Sequence, residues 1–190
     1  MPVVTRGQDG GPVSSSLGFV LSPRHLVTVG SGPLPLSNDF IDRALMADPH
    51  PNDASHVFVL LLEAIVARAA DGLEGIRDEM DDHSRRLFRQ GSPQSGPGKK
   101  GNALDGTLRF LGHTGDAVSP LRDSLLALGR IVGFVGHSAG RLPPDPRGRL
   151  EVVRRDVDSL SDYDNHLANK TQFLLDATLG FINIEQNHVI

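Results

Sequence analysis

Apolar residues recur at spacings of three and four from Phe58 through Leu62, Ile65, Ala69, Leu73, Ile76, Met80 and Leu87, with one polar slot at His83. That period belongs to a helix with a single apolar stripe, and it predicts a helix over about Asp53–Gln90. Asp71, Glu74, Asp78, Arg85 and Arg89 fall on the opposite face, as a solvated face requires. A second stripe runs through Leu104, Leu108, Leu111, Val118, Leu121, Leu125, Leu128, Val132 and Val135. Between the two lies GSPQSGPGKKG, Gly91 to Gly101, whose composition predicts a flexible turn. Two long helices joined in this way form an antiparallel hairpin. Pro120 and several glycines are expected to bend or loosen the second arm. Three prolines between Arg141 and Arg147 break the pattern, and a third helix is predicted from about Pro146 to Ile190. At about 1.5 Å per residue it is on the order of 65 Å long. That exceeds the diameter of a domain of this size, so it is expected to protrude or to pack along a partner.

Before these helices the pattern changes to short apolar runs. Gly7, Gly10, Gly11 and Pro12 make the first dozen residues read mostly as loop, with Val3-Val4 as the tail of a strand. From Leu17 to Val29, LGFVLSPRHLVTV places two apolar runs around Ser22-Pro23-Arg24-His25. Pro23 suits a type I turn, so the segment predicts a β-hairpin. A lone hairpin is marginal in water, which suggests a fragment of a larger sheet. Gly30 to Pro35 reads as loop, and Ser37 as the cap of a short helix over Asn38–Met46, ended by Asp48-Pro49-His50-Pro51. The expected fold class is α+β and predominantly helical. It combines a small β-hairpin or sheet remnant (1–50), a long antiparallel helical hairpin (51–142) and a long C-terminal helix (143–190).

The last helix carries two stripes. Val153, Leu160, Leu167, Leu174 and Phe181 follow at sevens, and so do Asp162, Asn169, Asp176 and Asn183, with Ile190 next. The second stripe stands two residues after the first, about 200° round the helix. The apolar stripe should pack on the helical hairpin and the polar one should face away. A solvated surface explains the polar stripe simply. A sharper reading places several copies of the helix around an axis, lined by rings of carboxylate and amide oxygens. Such rings suit a hard, hydrated cation such as magnesium. Phe181 to Ile190 contains no Gly, Pro or cationic last turn, so the helix is expected to continue.

Composition narrows the functions. The 190 residues hold 19 Lys plus Arg against 23 Asp plus Glu, a net charge of −4, which argues against a nucleic-acid binder. Aromatic residues are 5% of the chain, too few for a β-sandwich or barrel. With no cysteine there is no disulfide framework, Cys-ligated zinc or Cys nucleophile. The opening MPVVTRGQDGG is not a signal peptide, and the longest apolar run, Val57 to Leu62, is far short of the ~18 residues of a membrane span, so the segment is expected to be soluble.

Catalytic motifs fail on context. Gly136-His137-Ser138-Ala139-Gly140 fits G-x-S-x-G, but a helix is predicted where the chemistry needs a strand. Gly96-Pro97-Gly98-Lys99-Lys100-Gly101 fits G-x-G-x-x-G without a leading strand and reads as linker. Glu79-Met80-Asp81-Asp82-His83 points in successive directions round a helix and reads as an acidic surface. The eight histidines show no zinc spacing, and Asn169-Lys170-Thr171 is a glycosylation sequon by letters only. No acid, base and nucleophile converge, so an enzyme is not expected.

The stretch Phe173 to Ile190, FLLDATLGFINIEQNHVI, strongly resembles the stalk helix that precedes the first membrane helix of CorA-type magnesium transporters, with GFINIEQN its most specific part. LGFVLSPRHLVTV, VFVLLLEAIVARAADGLEGIRDEMDDHSRRLF and SPLRDSLLALGRIV resemble successive parts of that family's cytosolic domain, so the likeness runs from about Leu17 onward. It implies a homopentameric funnel on the cytoplasmic face of the inner membrane. Two membrane helices with a Gly-Met-Asn signature would follow, and that signature does not occur here. It also implies Mg2+ as transported and regulatory ion, with Co2+ or Ni2+ as possible cargo. The resemblance matches Asn187 to an Asn near the cytosolic pore mouth and Asp176 to an acidic ring lower in the stalk; with the polar stripe, the expected ion path is Asp162, Asn169, Asp176, Asn183 and Asn187. For the regulatory cation sites between subunits, Asp156 and Asp158 are the candidates in the corresponding region. The alternative is a soluble helical adaptor that uses Val153, Leu160, Leu167, Leu174 and Phe181 as a coiled-coil seam without cation dependence.

Overall fold

The computed structural model describes residues 1–6, 12–30, 53–90, 97–137 and 142–187. Three strands, β1 (Pro2–Arg6), β2 (Pro12–Leu21) and β3 (Leu26–Gly30), precede three helices, α1 (Ala54–Gln90), α2 (Pro97–His137) and α3 (Pro144–Asn187). The α+β, predominantly helical reading holds. The short helix expected at Asn38–Met46 lies outside the described residues.

The strands form one antiparallel sheet in the order β1-β2-β3. The hairpin of β2 and β3 pairs Leu17 with Gly30 and Leu21 with Leu26. Its turn is closed by Ser22, whose Oγ accepts from the His25 amide at 3.0 Å while its own amide donates to the His25 carbonyl at 2.9 Å. β1 is a full strand rather than a strand tail, in register from Pro2 opposite Ser16 to Arg6 opposite Pro12. Met1 adds a further rung: its ammonium donates to the Leu17 carbonyl at 2.6 Å and its carbonyl accepts from the Leu17 amide at 2.7 Å. A sequence reading weights Gly and Pro as breakers, but here they fall between the strands and at the first position of one, where they cost no ladder bond.

The helix ends follow local chemistry. Asp53 caps α1 by accepting from the His56 amide at 2.8 Å. α3 starts at Pro144, two residues earlier than the pattern placed it. Proline is well suited to a first helical position, because its missing N–H would have no intrahelical acceptor. α2 continues through Pro120, and the Ser124 hydroxyl donates to the Pro120 carbonyl at 2.9 Å. Part of the expected linker, residues 97–101, is the opening of α2.

The chain divides into two compact units, each built from parts of all three helices. One comprises Met1–Gly72 and Pro120–Asp162, the other Leu73–Ser119 and Tyr163–Ile190. The first holds the sheet. Leu17 of β2 joins Phe58, Leu62 and Ile65 of α1, Leu128 and Val132 of α2, and Leu150, Val153 and Val157 of α3 in one core. Phe19 meets Phe58 edge to face at 5.4 Å. Gly72 approaches Leu121 so closely that a Cβ there would stand 3.3 Å from Cδ2. Earlier residues of α1 share the core with later residues of α2, so the two run antiparallel. In the second unit Leu73, Met80 and Leu87 of α1, Leu104, Leu111 and Val118 of α2, and Leu167 and Leu174 of α3 are buried.

Candidate functional site

The two stripes of α3 separate as the spacing predicts. Val153, Leu167 and Leu174 are buried, with Leu160 and Phe181 partly so. Asp162, Asn169, Asp176, Asn183 and Asn187 are all exposed. Asp176 accepts a hydrogen bond from Gln172 Nε2 at 2.9 Å. Members of this stripe a heptad apart are about 10.5 Å apart along the helix, so no single cation could be shared by two of them. Among the described residues no group of three His, Asp or Glu is arranged to hold a metal. What one helix can do is present one oxygen ligand per level to an axis outside the chain.

Asp156 and Asp158 are both exposed, and their two-residue separation turns them about 200° apart. Asp158 is engaged by Arg154 Nη1 at 3.3 Å, and the same guanidinium bonds Glu151 at 3.1 Å. The chain alone does not bring these two carboxylates to one point.

Polar links between helices were not legible in the stripes. In the first unit Arg149 of α3 donates to both carboxylate oxygens of Glu63 on α1, at 2.9 and 2.6 Å, and stands 3.0 Å from His56 Nε2. In the second unit Lys170 of α3 donates to Asp81 of α1, and this bond holds the Asp81 carboxyl below the usual carboxylate range. Asp82 instead takes Arg85 at 2.5 Å, and Met80 is buried. The Glu79–His83 run is thus dispersed round α1 and forms no ion site. His83 fills its slot in the apolar stripe by stacking on Phe110 of α2, ring centroids 3.7 Å apart and nearly parallel. Burial, then the nearby Arg86, pushes its imidazole below the ordinary value. Pairs 89 residues apart carry no short-range signature, which is why periodicity alone did not find Lys170 and Asp81. Asp164 of α3 is also buried, and the stripes did not single it out.

The G-x-S-x-G segment is preceded by helix, since His137 ends α2 and its Nδ1 lies 2.6 Å from the Gly133 carbonyl. Ser138 lies outside the described residues. Among the described residues no helix is long and apolar enough to cross a membrane.

The family model for CorA-like Mg2+ transporter proteins matches residues 1–190. The chain belongs to the CorA-like Mg2+ transporter family. Its CorA relatives include proteins named magnesium transport protein CorA from Yersinia pseudotuberculosis, 28% identical over 177 residues, and from Escherichia coli K12, also 28% identical over 177 residues. The CorA of Haemophilus influenzae is 27% identical over 176 residues. Each alignment covers 93% of this chain and 53% of the relative. The chain therefore spans about half the length of the CorA proteins it matches.

Proposed function

We propose that this chain is the cytosolic gating and ion-funnel region of a CorA-type divalent-cation transporter. The observation that carries the proposal is the match to the CorA family over residues 1–190, read together with a fully exposed Asp/Asn line opposite a buried seam on α3. In this reading five copies place their α3 helices around one axis, and Asp162, Asn169, Asp176, Asn183 and Asn187 line the path of hydrated Mg2+. The same oxygen ligands would also accept Co2+ or Ni2+. Leu179, 45% exposed, and Ile184, 55% exposed, flank the polar line on its two sides. Apolar flanks beside a polar line are what a helix needs to meet a neighbour on each side and water in the middle.

Regulation would be linkage. Mg2+ bound between acidic faces of adjacent copies, with Asp156 and Asp158 as candidate ligands, offsets like-charge repulsion and favours the closed funnel. Loss of Mg2+ lets the copies separate. Membership of the CorA family supports a position on the cytoplasmic face of the inner membrane for this region. The adaptor alternative is disfavoured because the seam it offers to a partner is already occupied: Val153, Leu167 and Leu174 are buried within the chain.

The test is a Mg2+ titration of the 190-residue chain, followed by sedimentation velocity and thermal melting. Millimolar Mg2+ should raise the assembly state or the melting temperature, because a ligand that binds only the assembled state stabilises it by mass action. Substituting Asp176→Ala with Asn183→Ala should weaken that response. If Mg2+ changed neither quantity, the gating proposal would fall.

A further inference from the structure

We propose that the end of the helical hairpin, where α1 finishes, is a docking surface for anionic phospholipid headgroups. Phe88 on the last turns of α1 is 47% exposed although it already touches two rings of α3, Phe173 at 6.2 Å and Phe181 at 6.1 Å. Phe173 is itself 59% exposed. An aromatic cluster that stays open to water after packing is an apolar surface in want of a cover.

The same turns carry Arg85, Arg86 and Arg89. From His83 to Leu104 the sequence holds five cations, these three with Lys99 and Lys100, and no Asp or Glu. This is a concentrated positive block in a chain whose net charge is −4. Stability of the helices does not account for all of it. Arg89 in the last turn of α1 suits the helix dipole, whose effect falls off within that turn, so it does not explain Arg85. At 100° per residue, Phe88, Arg85 and Arg89 fall within an arc of about 100°, so ring and guanidinium groups can address one surface. Arginine stems lie along apolar material while their heads reach phosphates, and aromatic rings sit at the level of the headgroups. Clustered cations beside an amphipathic helix end are the pattern that anionic bilayers attract.

A bilayer fits better than a nucleic acid. The chain is acidic outside this block, and the rings beside the arginines are phenylalanines. This surface is distinct from the Asp/Asn line, so the inference goes beyond the proposed ion path.

Vesicle flotation of the 190-residue chain tests it, with phosphatidylcholine alone or with about 30% phosphatidylglycerol. The chain should float with the anionic vesicles, not with the neutral ones, and release at about 0.5 M salt, where exposed charges are screened. Each cation near such a surface is worth about fivefold in partitioning, so the Arg85→Gln, Arg86→Gln, Arg89→Gln variant should lose at least about tenfold. The Lys triple at the same positions should retain binding. A control removing Arg24, Arg68 and Arg130 should retain it too, separating the patch from overall charge. Unchanged melting of the variants by circular dichroism keeps the comparison one of binding. Equal flotation with neutral vesicles, no flotation at all, or full binding by the Gln triple would overturn the proposal. So would capture by duplex DNA that anionic vesicles cannot compete away. The Mg2+ titration on the same preparation keeps failure here distinct from failure of the funnel reading.

Discussion

Arg149 and Glu63 form a two-pronged bond between α3 and α1, Nε to Oε1 at 2.9 Å and Nη2 to Oε2 at 2.6 Å. Both side chains are partly buried, so the pair is better shielded than a surface ion pair, and it clamps the two helices in one register. Removing one partner leaves the other half-desolvated. Arg149→Met and Glu63→Gln should each destabilise by about 1–2 kcal/mol. The double variant should cost less than their sum, with a coupling of about 1 kcal/mol in urea denaturation. Additive losses would show that the pair contributes nothing as a pair.

Asp81 gives a pH-dependent link in the second unit. Its bond from Lys170 depresses the folded carboxyl below its ordinary 3.8, against a smaller opposing effect of burial. The folded state therefore favours the ionised form. The stabilisation is complete above about pH 3.8 and is lost as the pH falls through the folded value. Asp81→Asn should be less stable than the parent at neutral pH, and the two should converge below about pH 3.8, measured by urea midpoints across the acid range.

His83 titrates with the opposite chemistry and the same sign. Burial first, then repulsion from Arg86, holds its imidazole below the ordinary 6.5, so the folded chain prefers the neutral ring. The unfolded chain binds the proton more readily, and stability falls as the pH drops below about 6.5 through the folded value. His83→Phe keeps a ring against Phe110 and removes the titration. Its advantage over the parent should grow from pH 7.5 to pH 5; a constant difference would show that His83 binds its proton equally well in the folded and unfolded chains.

These cases mark what the sequence could and could not reveal. The three helices and the β2–β3 hairpin were legible because their apolar periods are local, and Leu73, Met80, Leu87, Leu167 and Leu174 are buried as those periods demand. β1 was only partly legible because Gly7, Gly10 and Gly11 sit beside it, and its strand character comes from pairing with Pro12–Ser16. Glu63–Arg149 and Asp81–Lys170 escaped detection because each joins positions more than 80 residues apart through a fold the letters do not encode locally. Thr107 and Thr114 lie buried in gaps of the α2 stripe, and Thr114 is satisfied by its own helix, donating to the Phe110 carbonyl at 2.9 Å. A pattern that counts hydroxyls as polar passes over them.

The functional reading turns on whether α3 uses its two faces differently, and Leu174 and Asp176 test that at adjacent levels of one helix. Leu174 is fully buried, so Leu174→Ala removes apolar contact and leaves a cavity, a loss of about 2–5 kcal/mol. Asp176 is exposed and its one described side-chain bond is to Gln172 on the same helix, so Asp176→Ala should change the stability of the chain by no more than about 0.5 kcal/mol. In Mg2+ the order should reverse for assembly. Asp176→Ala should blunt the Mg2+ response while leaving the fold intact. A milder variant of the seam, Leu174→Met, should keep both fold and response, since a volume-conserving swap costs less than about 1.5 kcal/mol. Melting curves and sedimentation velocity on the same samples separate the two effects. An Asp176→Ala chain that melts early without Mg2+ would mean the polar line has a structural task inside one chain, and the ion-path reading would lose its premise.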